Sequence, residues 1–138
     1  MNTKVQRRRQ ELFNKMYLGV VKQGKASYSS SLANCVYRGI DNLKCAIGHC
    51  IPDDKYMPDF ENCGIKTLFY HENDKIKSTI HSIFQEEDLQ FLIDVQYYHD
   101  TANVEAQCSK NDSLFVEYFK EQMQDVAYMY NLTIPKVD

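Results

Sequence analysis

KVQRRRQELFNKMYLGVVK, residues Lys4–Lys22, is the stretch that decides the fold class. Val5, Leu12, Phe13, Met16, Tyr17, Val20 and Val21 recur at three- and four-residue spacing, the repeat that lines one side of a helix. Gly24 supplies its C-terminal stop. The same period returns further along: Ile65, Leu68 and Phe69 between Glu61 and Tyr70, then Ile76, Ile80, Ile83 and Phe84. It continues with Leu89, Leu92, Ile93 and Gln96 between Glu86 and Tyr98, and with Leu114, Phe115, Tyr118, Phe119, Val126, Ala127 and Tyr130 on the inner side of a last helix, Ser113 to Tyr130. The polar stretches 25–34, 71–77 and 103–112 read as connections. The pattern predicts a mainly α protein, a small helical domain of about four or five helices, with residues 1–138 as a single domain.

One block breaks the helical period. Cys35-Val36-Tyr37-Arg38 and Leu43-Lys44-Cys45-Ala46 flank Gly39-Ile40-Asp41-Asn42, two short β segments around a turn. This predicts a short β-hairpin insertion near residues 35–46. Ile47 to Ile51 spans about one helical turn before Pro52, whose ring disfavours helical geometry at the preceding residue. Pro52-Asp53-Asp54 suits the opening of another short helix, with carboxylates near free N–H groups, and Pro58 ends that piece.

An apolar fraction of 43% and a charged fraction of 25% are those of a globular chain, so wholesale disorder and fibrous repeats are not indicated. Ten Tyr and seven Phe with no Trp are an aromatic surplus suited to the rim of a core or to an adhesive surface. The net charge of −3 gives no global reason to expect nucleic acid or an acidic membrane as partner. Arg7-Arg8-Arg9 is the local exception, read as a solvated helix face. No apolar run reaches membrane-span length and the first 25 residues lack a signal peptide's apolar centre, so a cytoplasmic protein is expected. Five cysteines, an odd number, are then expected as reduced thiols.

Four chemistries can be written on these residues. Cys45, His49 and Cys50, with Cys35 and Cys63 as further donors, have the ligand types of a zinc site, but no pair has Cys-x-x-Cys spacing. His71 or His81, then His99-Asp100, then Asp125 follow the order of metal ligands in helical HD-type phosphohydrolases. That gives the alternative metal set His71, His99, Asp100 and Asp125. Cys50 beside His49 has the residue types of a thiol nucleophile and base, although neighbours on a helical turn point about 100° apart. Last, Tyr37, Arg38, Lys44, Asp53 and Tyr56 combine an aromatic face with cations, a mix that accepts a nucleotide. The competing expectation is that Arg38 pairs with Asp53 or Asp54 and holds the loop rigid.

The block Cys35-x-Tyr37-Arg38-Gly39, Leu43-Lys44-Cys45-Ala46-Ile47-Gly48, Ile51-Pro52-Asp53-Asp54-x-Tyr56-x-Pro58-x-x-Glu61 resembles a family of small uncharacterised phage and prophage proteins. Lys22-Gln23-Gly24-Lys25, Leu92-x-x-x-Gln96-x-x-His99-Asp100 and a last helix ending near Asn131-Leu132 are similar in kind and order. His49-Cys50 stands where Cys then Leu is expected, and Asn42 where a turn Gly is usual. The resemblance implies a viral origin and a host-cell cytoplasmic location. It also implies a non-enzymatic binding protein acting on a host component, such as an anti-defence inhibitor or a protein that sequesters a nucleotide signal. The expected partners are a host protein or a nucleotide, with homo-oligomers allowed and no cofactor; a virion or assembly component is the remaining alternative.

Overall fold

In the computed structural model, which describes residues 3–29 and 34–138, the opening apolar period forms α1 (Thr3–Gln23), with Leu12, Phe13, Met16, Tyr17 and Val20 turned inward. Gly24 closes it, donating its N–H to the Val20 carbonyl at 3.0 Å. After the central block come α2 (Ile65–Phe69), α3 (Asp74–Ile83), α4 (Leu89–Cys108) and α5 (Phe115–Tyr130). The fold is mainly α, with five α-helices among the described residues. None of them is long and apolar enough to cross a membrane.

Two expected connections are partly helical. In 71–77, the Asn73 side-chain oxygen accepts from Lys75 N at 3.0 Å and Ile76 N at 3.1 Å, so α3 starts at Asp74. In 103–112, α4 runs on to Cys108 because Ala102, Asn103 and Ala106 continue the buried stripe of Leu92 and Val95. Small residues carry the helical period there, and a pattern keyed to large apolar side chains misses it. A short 3₁₀ turn, Asp112–Leu114, leads into α5.

The α4–α5 pair is the most extensive helix contact, closed by Phe115, Phe119, Met123 and Val126. At its end Asn131 takes a left-handed φ of 55° while Leu132 N donates to the Ala127 carbonyl at 2.8 Å, a Schellman-type stop. α1 lies alongside and holds the terminal segment: Gln10 donates to Thr133 O and accepts from Thr133 N, at 2.8 and 2.9 Å. All seven Phe are buried in one contiguous core, whereas Tyr70, Tyr97 and Tyr128 are exposed. Two of the three early arginines are structural. Arg8 Nε donates to the fully buried Asp88 carboxylate at 2.6 Å, and the Arg9 guanidinium lies 5.2 Å from the centre of the Tyr130 ring.

The β-hairpin expected at residues 35–46 does not form. Its turn is present: Asp41 and Asn42 are left-handed, with φ of 58° and 60°, and Leu43 N donates to Ile40 O at 3.1 Å. The arms do not pair because other groups occupy their amides. Val36 N reaches back to Ser27 O at 2.8 Å, continuing a two-residue antiparallel pairing of β1 (Tyr28–Ser29) with β2 (Asn34–Cys35) inside the expected loop 25–34. Tyr37 N and Arg38 N donate to the two oxygens of Glu61, at 3.0 and 3.1 Å. On the other arm, Lys44 N donates to Gln23 Oε1 and Lys44 O accepts from Gln23 Nε2, both at 2.9 Å.

Ile47–Cys50 forms the expected single turn, of 3₁₀ type. Pro52 opens only a turn, its carbonyl accepting from Lys55 N and Tyr56 N at 3.0 and 3.2 Å, and Pro58 starts a 3₁₀ turn, Pro58–Phe60, where it was expected to end a helix.

Candidate functional site

The irregular block from Cys35 to Gly64 is fixed by short backbone turns, by buried side chains such as Ile47, Ile51 and Phe60, and by polar side chains that take amides the turns leave open. Glu61 is the centre of one half: besides the two amides it accepts the Tyr56 hydroxyl at 2.6 Å. Arg38 lies across the same region. One guanidinium nitrogen pairs with Asp53 Oδ1 at 2.5 Å, another donates to Ile51 O at 2.5 Å, and the cation stands 5.1 Å from the centre of the Tyr56 ring. Lys44 Nζ lies 3.7 Å from the same Asp53 oxygen. The hydrogen bond from Arg38 and then the charge of Lys44 hold the exposed Asp53 carboxyl below its ordinary range.

The structure therefore brings Tyr37, Arg38, Lys44, Asp53 and Tyr56 into one neighbourhood, with Tyr37 in the core and Asp53 exposed. Tyr37 is buried and its hydroxyl donates to Cys63 O at 2.7 Å, so its ring is part of the core. Burial drives both the Tyr37 and Tyr56 hydroxyls toward the neutral form. Arg38 is committed to Asp53, as the competing expectation held. A cavity of about 190 Å³ lies beside this block, lined by Cys35, Cys45, Cys63, Glu61, Gln96 and Asp100 among others; Arg38 and Lys44 are not on its wall. A larger one of about 450 Å³, between Gly24–Ala26 and the C-terminal part of α4, includes none of the five residues.

The turn carrying His49 and Cys50 is wedged between α1 and Tyr37. A Cβ on Gly19 would sit 2.5 Å from the His49 ring, and one on Gly48 would sit 2.3 Å from Tyr37 O, so both crossings require glycine. The Cys50 thiol faces the Leu12 carbonyl at 3.8 Å and burial pushes it up to about 12, while burial lowers His49 to about 4. A buried protonated thiol is the inert form of the residue.

The HD-like set is divided. His71 Nδ1 accepts from Asn73 N at 3.0 Å ahead of α3, and Asp125 lies on the exposed side of α5. His99 and Asp100 stay together: His99 Nδ1 is 3.0 Å from Asp100 Oδ1, and Gln96 Nε2 donates to that oxygen at 2.8 Å. The third member of their cluster is Cys35, with one donor atom from each residue all within 4.8 Å of one another; His71 and Asp125 are not part of it. Burial, followed by the Asp100 charge, raises the Cys35 thiol.

Sequence reasoning assigned no role to Gln23 or Glu61 and gave Gln96 only a place in the helical period, although each stands in a motif quoted for the resemblance. In the structure they converge: Gln23 on Lys44, Glu61 on Tyr37 and Arg38, and Gln96 on Asp100 and, at 3.4 Å, Ile47 N. Long side chains with acceptor oxygens, within or beside a segment whose amides lack secondary-structure partners, are the signal that could have found them. No family model, curated protein or solved structure matches the chain.

Proposed function

We propose that the chain is a non-enzymatic binding protein of phage origin that acts on a host protein, with a defence complex as the class of target that the resemblance implies. What supports this reading most is the solvent side of α4 and α5. Tyr97 is 65% exposed and Met129 51%, and Tyr98 joins them, its ring 5.5 Å from that of Tyr97 and its hydroxyl 3.8 Å from Met129 Sδ. Tyrosine and methionine supply large, adaptable contact area and are enriched at interfaces. On α5 the exposed Glu117, Glu121 and Asp125 precede Met129 at four-residue spacing, the spacing of one helix face, so a partner that docks there is basic.

The sequestered-nucleotide version has less support. The cavity beside the block holds about 190 Å³, under the roughly 300 Å³ at which small-molecule sites begin, and the cations Arg38 and Lys44 face Asp53.

Quantitative affinity capture from host extract, comparing the full chain with a Tyr97→Ala, Tyr98→Ala, Met129→Ala variant, tests the reading. The expected result is a saturable basic host protein, recovered by the parent, weakened by added salt and lost with the triple variant. Recovery of the same protein by the variant overturns it. So does sedimentation showing that the patch is consumed by a self-dimer that the variant dissociates.

A further inference from the structure

We propose that Cys35, His99 and Asp100 form a binding site for a divalent transition-metal ion of the zinc type, clamping the irregular block to α4. The three residues offer a sulfur, a nitrogen and an oxygen within 4.8 Å of one another, a mixed donor set that suits a borderline-soft ion. They come from two elements: Cys35 ends β2, and His99 with Asp100 lies midway along α4.

The surroundings fit ligation better than packing alone. Gln96, His99, Asp100 and Asn103 follow one another at i, i+3, i+4 and i+7, a polar stripe on α4 beside the apolar one. The outer members address ligand atoms, one on Asp100 and one on Cys35. Gln96 Nε2 donates to Asp100 Oδ1 at 2.8 Å, and Asn103 Nδ2 lies 3.6 Å from Cys35 Sγ as a donor to sulfur. Amides that orient a carboxylate and stabilise a thiolate are the supporting contacts of a metal centre. His99 is fully buried, its ring edge-on to Phe115 and Phe119 at 5.4 and 5.9 Å, so its orientation is set by packing. Cys35 and Asp100 also line the cavity of about 190 Å³, which leaves room for a water molecule as fourth ligand. Binding exchanges the Cys35 S–H proton, released to solvent, for a metal–sulfur bond, with no change of oxidation state.

The test is titration of the full chain, stripped with chelator, with cobalt(II) and with zinc(II). A Cys108→Ser background removes the exposed thiol. The expected result is one equivalent of cobalt with a thiolate-to-metal charge-transfer band. Cys35→Ser abolishes the band. Asp100→Asn keeps the band and weakens zinc by on the order of 100-fold, and Gln96→Ala by about tenfold, as for loss of a supporting contact. Cys63→Ser, on the same cavity wall, leaves affinity unchanged. Circular dichroism identifies any variant that has not folded. Asp100 is half exposed, so Asp100→Asn reports independently of Cys35→Ser. Absence of the band in the parent chain, or affinity unchanged in Asp100→Asn, overturns the proposal.

Discussion

The α4–α5 pair and the block from Cys35 to Gly64 stand side by side and are held by opposite means. Along α4 and α5 each backbone amide past the first turn is satisfied within its own helix, and the centre of the contact between helices is apolar, with Phe91, Phe115, Phe119, Met123 and Val126 buried and the polar pairs Gln122–Glu105 and Tyr130–Asp94 beside it. The block has almost no regular structure. Some of its amides close short turns, and others end on side chains, the carboxylate of Glu61 within the block and the amides of Gln23 and Gln96 outside it. The difference teaches that stability in one region is spread over many interchangeable contacts, while in the other a few polar groups that each serve several partners act beside buried residues such as Ile47, Ile51 and Phe60.

That contrast can be broken by two substitutions measured by urea unfolding. Phe119→Ala should cost the most, about 3–5 kcal/mol, as a cavity in the helix pair. Glu61→Ala should cost nearly as much, roughly 2–4 kcal/mol, although it removes no buried apolar group, because Tyr37 N, Arg38 N and the Tyr56 hydroxyl lose their acceptor together. Glu61→Gln keeps one acceptor oxygen and should recover part of the loss. If Glu61→Ala costs less than about 1 kcal/mol, the usual net value of a single hydrogen bond, the block does not depend on this carboxylate.

The next effect is a pH dependence confined to the block side. Burial, and then the charge of Lys44, lower His49 to about 4. An unfolded imidazole titrates near 6.5, so between these values the unfolded chain binds the proton that the folded one refuses. Stability is therefore fully present above about pH 6.5 and falls as the pH drops toward 4. Discounted for the partial exposure of the ring, the loss is on the order of 1–2 kcal/mol. Unfolding of the parent and of His49→Gln at both ends of that window should show the parent losing more on acidification. Equal losses would place the titration elsewhere.

This contrast also explains what could be read from the sequence. The helices were legible because burial writes a period: Leu12, Phe13, Met16, Tyr17 and Val20 mark α1 without reference to any other segment. Where burial used small residues, as at Ala102 and Ala106, the period faded and α4 was expected to end early. In the block the turn was legible, since Asp41 and Asn42 are residues that tolerate left-handed geometry. The strands were not, because pairing is decided by competition for the amides. The winning acceptor, Glu61, lies 24 positions from Tyr37. For the same reason the Arg38–Asp53 contact could be anticipated as one of two outcomes, whereas the grouping of Cys35 with His99 and Asp100 could not. It depends on where β2 crosses α4, which no local pattern records.

The smallest effect belongs to Asp53, and it separates proximity from dependence. This carboxylate receives both Arg38 and Lys44, yet its side chain is 83% exposed, and solvent screening keeps such pairs weak. Its folded pKa is lowered, so the stabilisation it gives is present above the unfolded carboxyl value of about 3.9 and disappears as the pH falls through the folded one. Asp53→Asn should shift the thermal midpoint slightly at neutral pH and low salt, and not at all in high salt. Arg38→Met should shift it more under both conditions, because it also removes the bond to Ile51 O and the cation over Tyr56. Were Asp53→Asn to destabilise as much as Glu61→Ala, the block would rest on its exposed ion pair, and the division between a few shared polar groups and many apolar ones would have to be redrawn around Asp53.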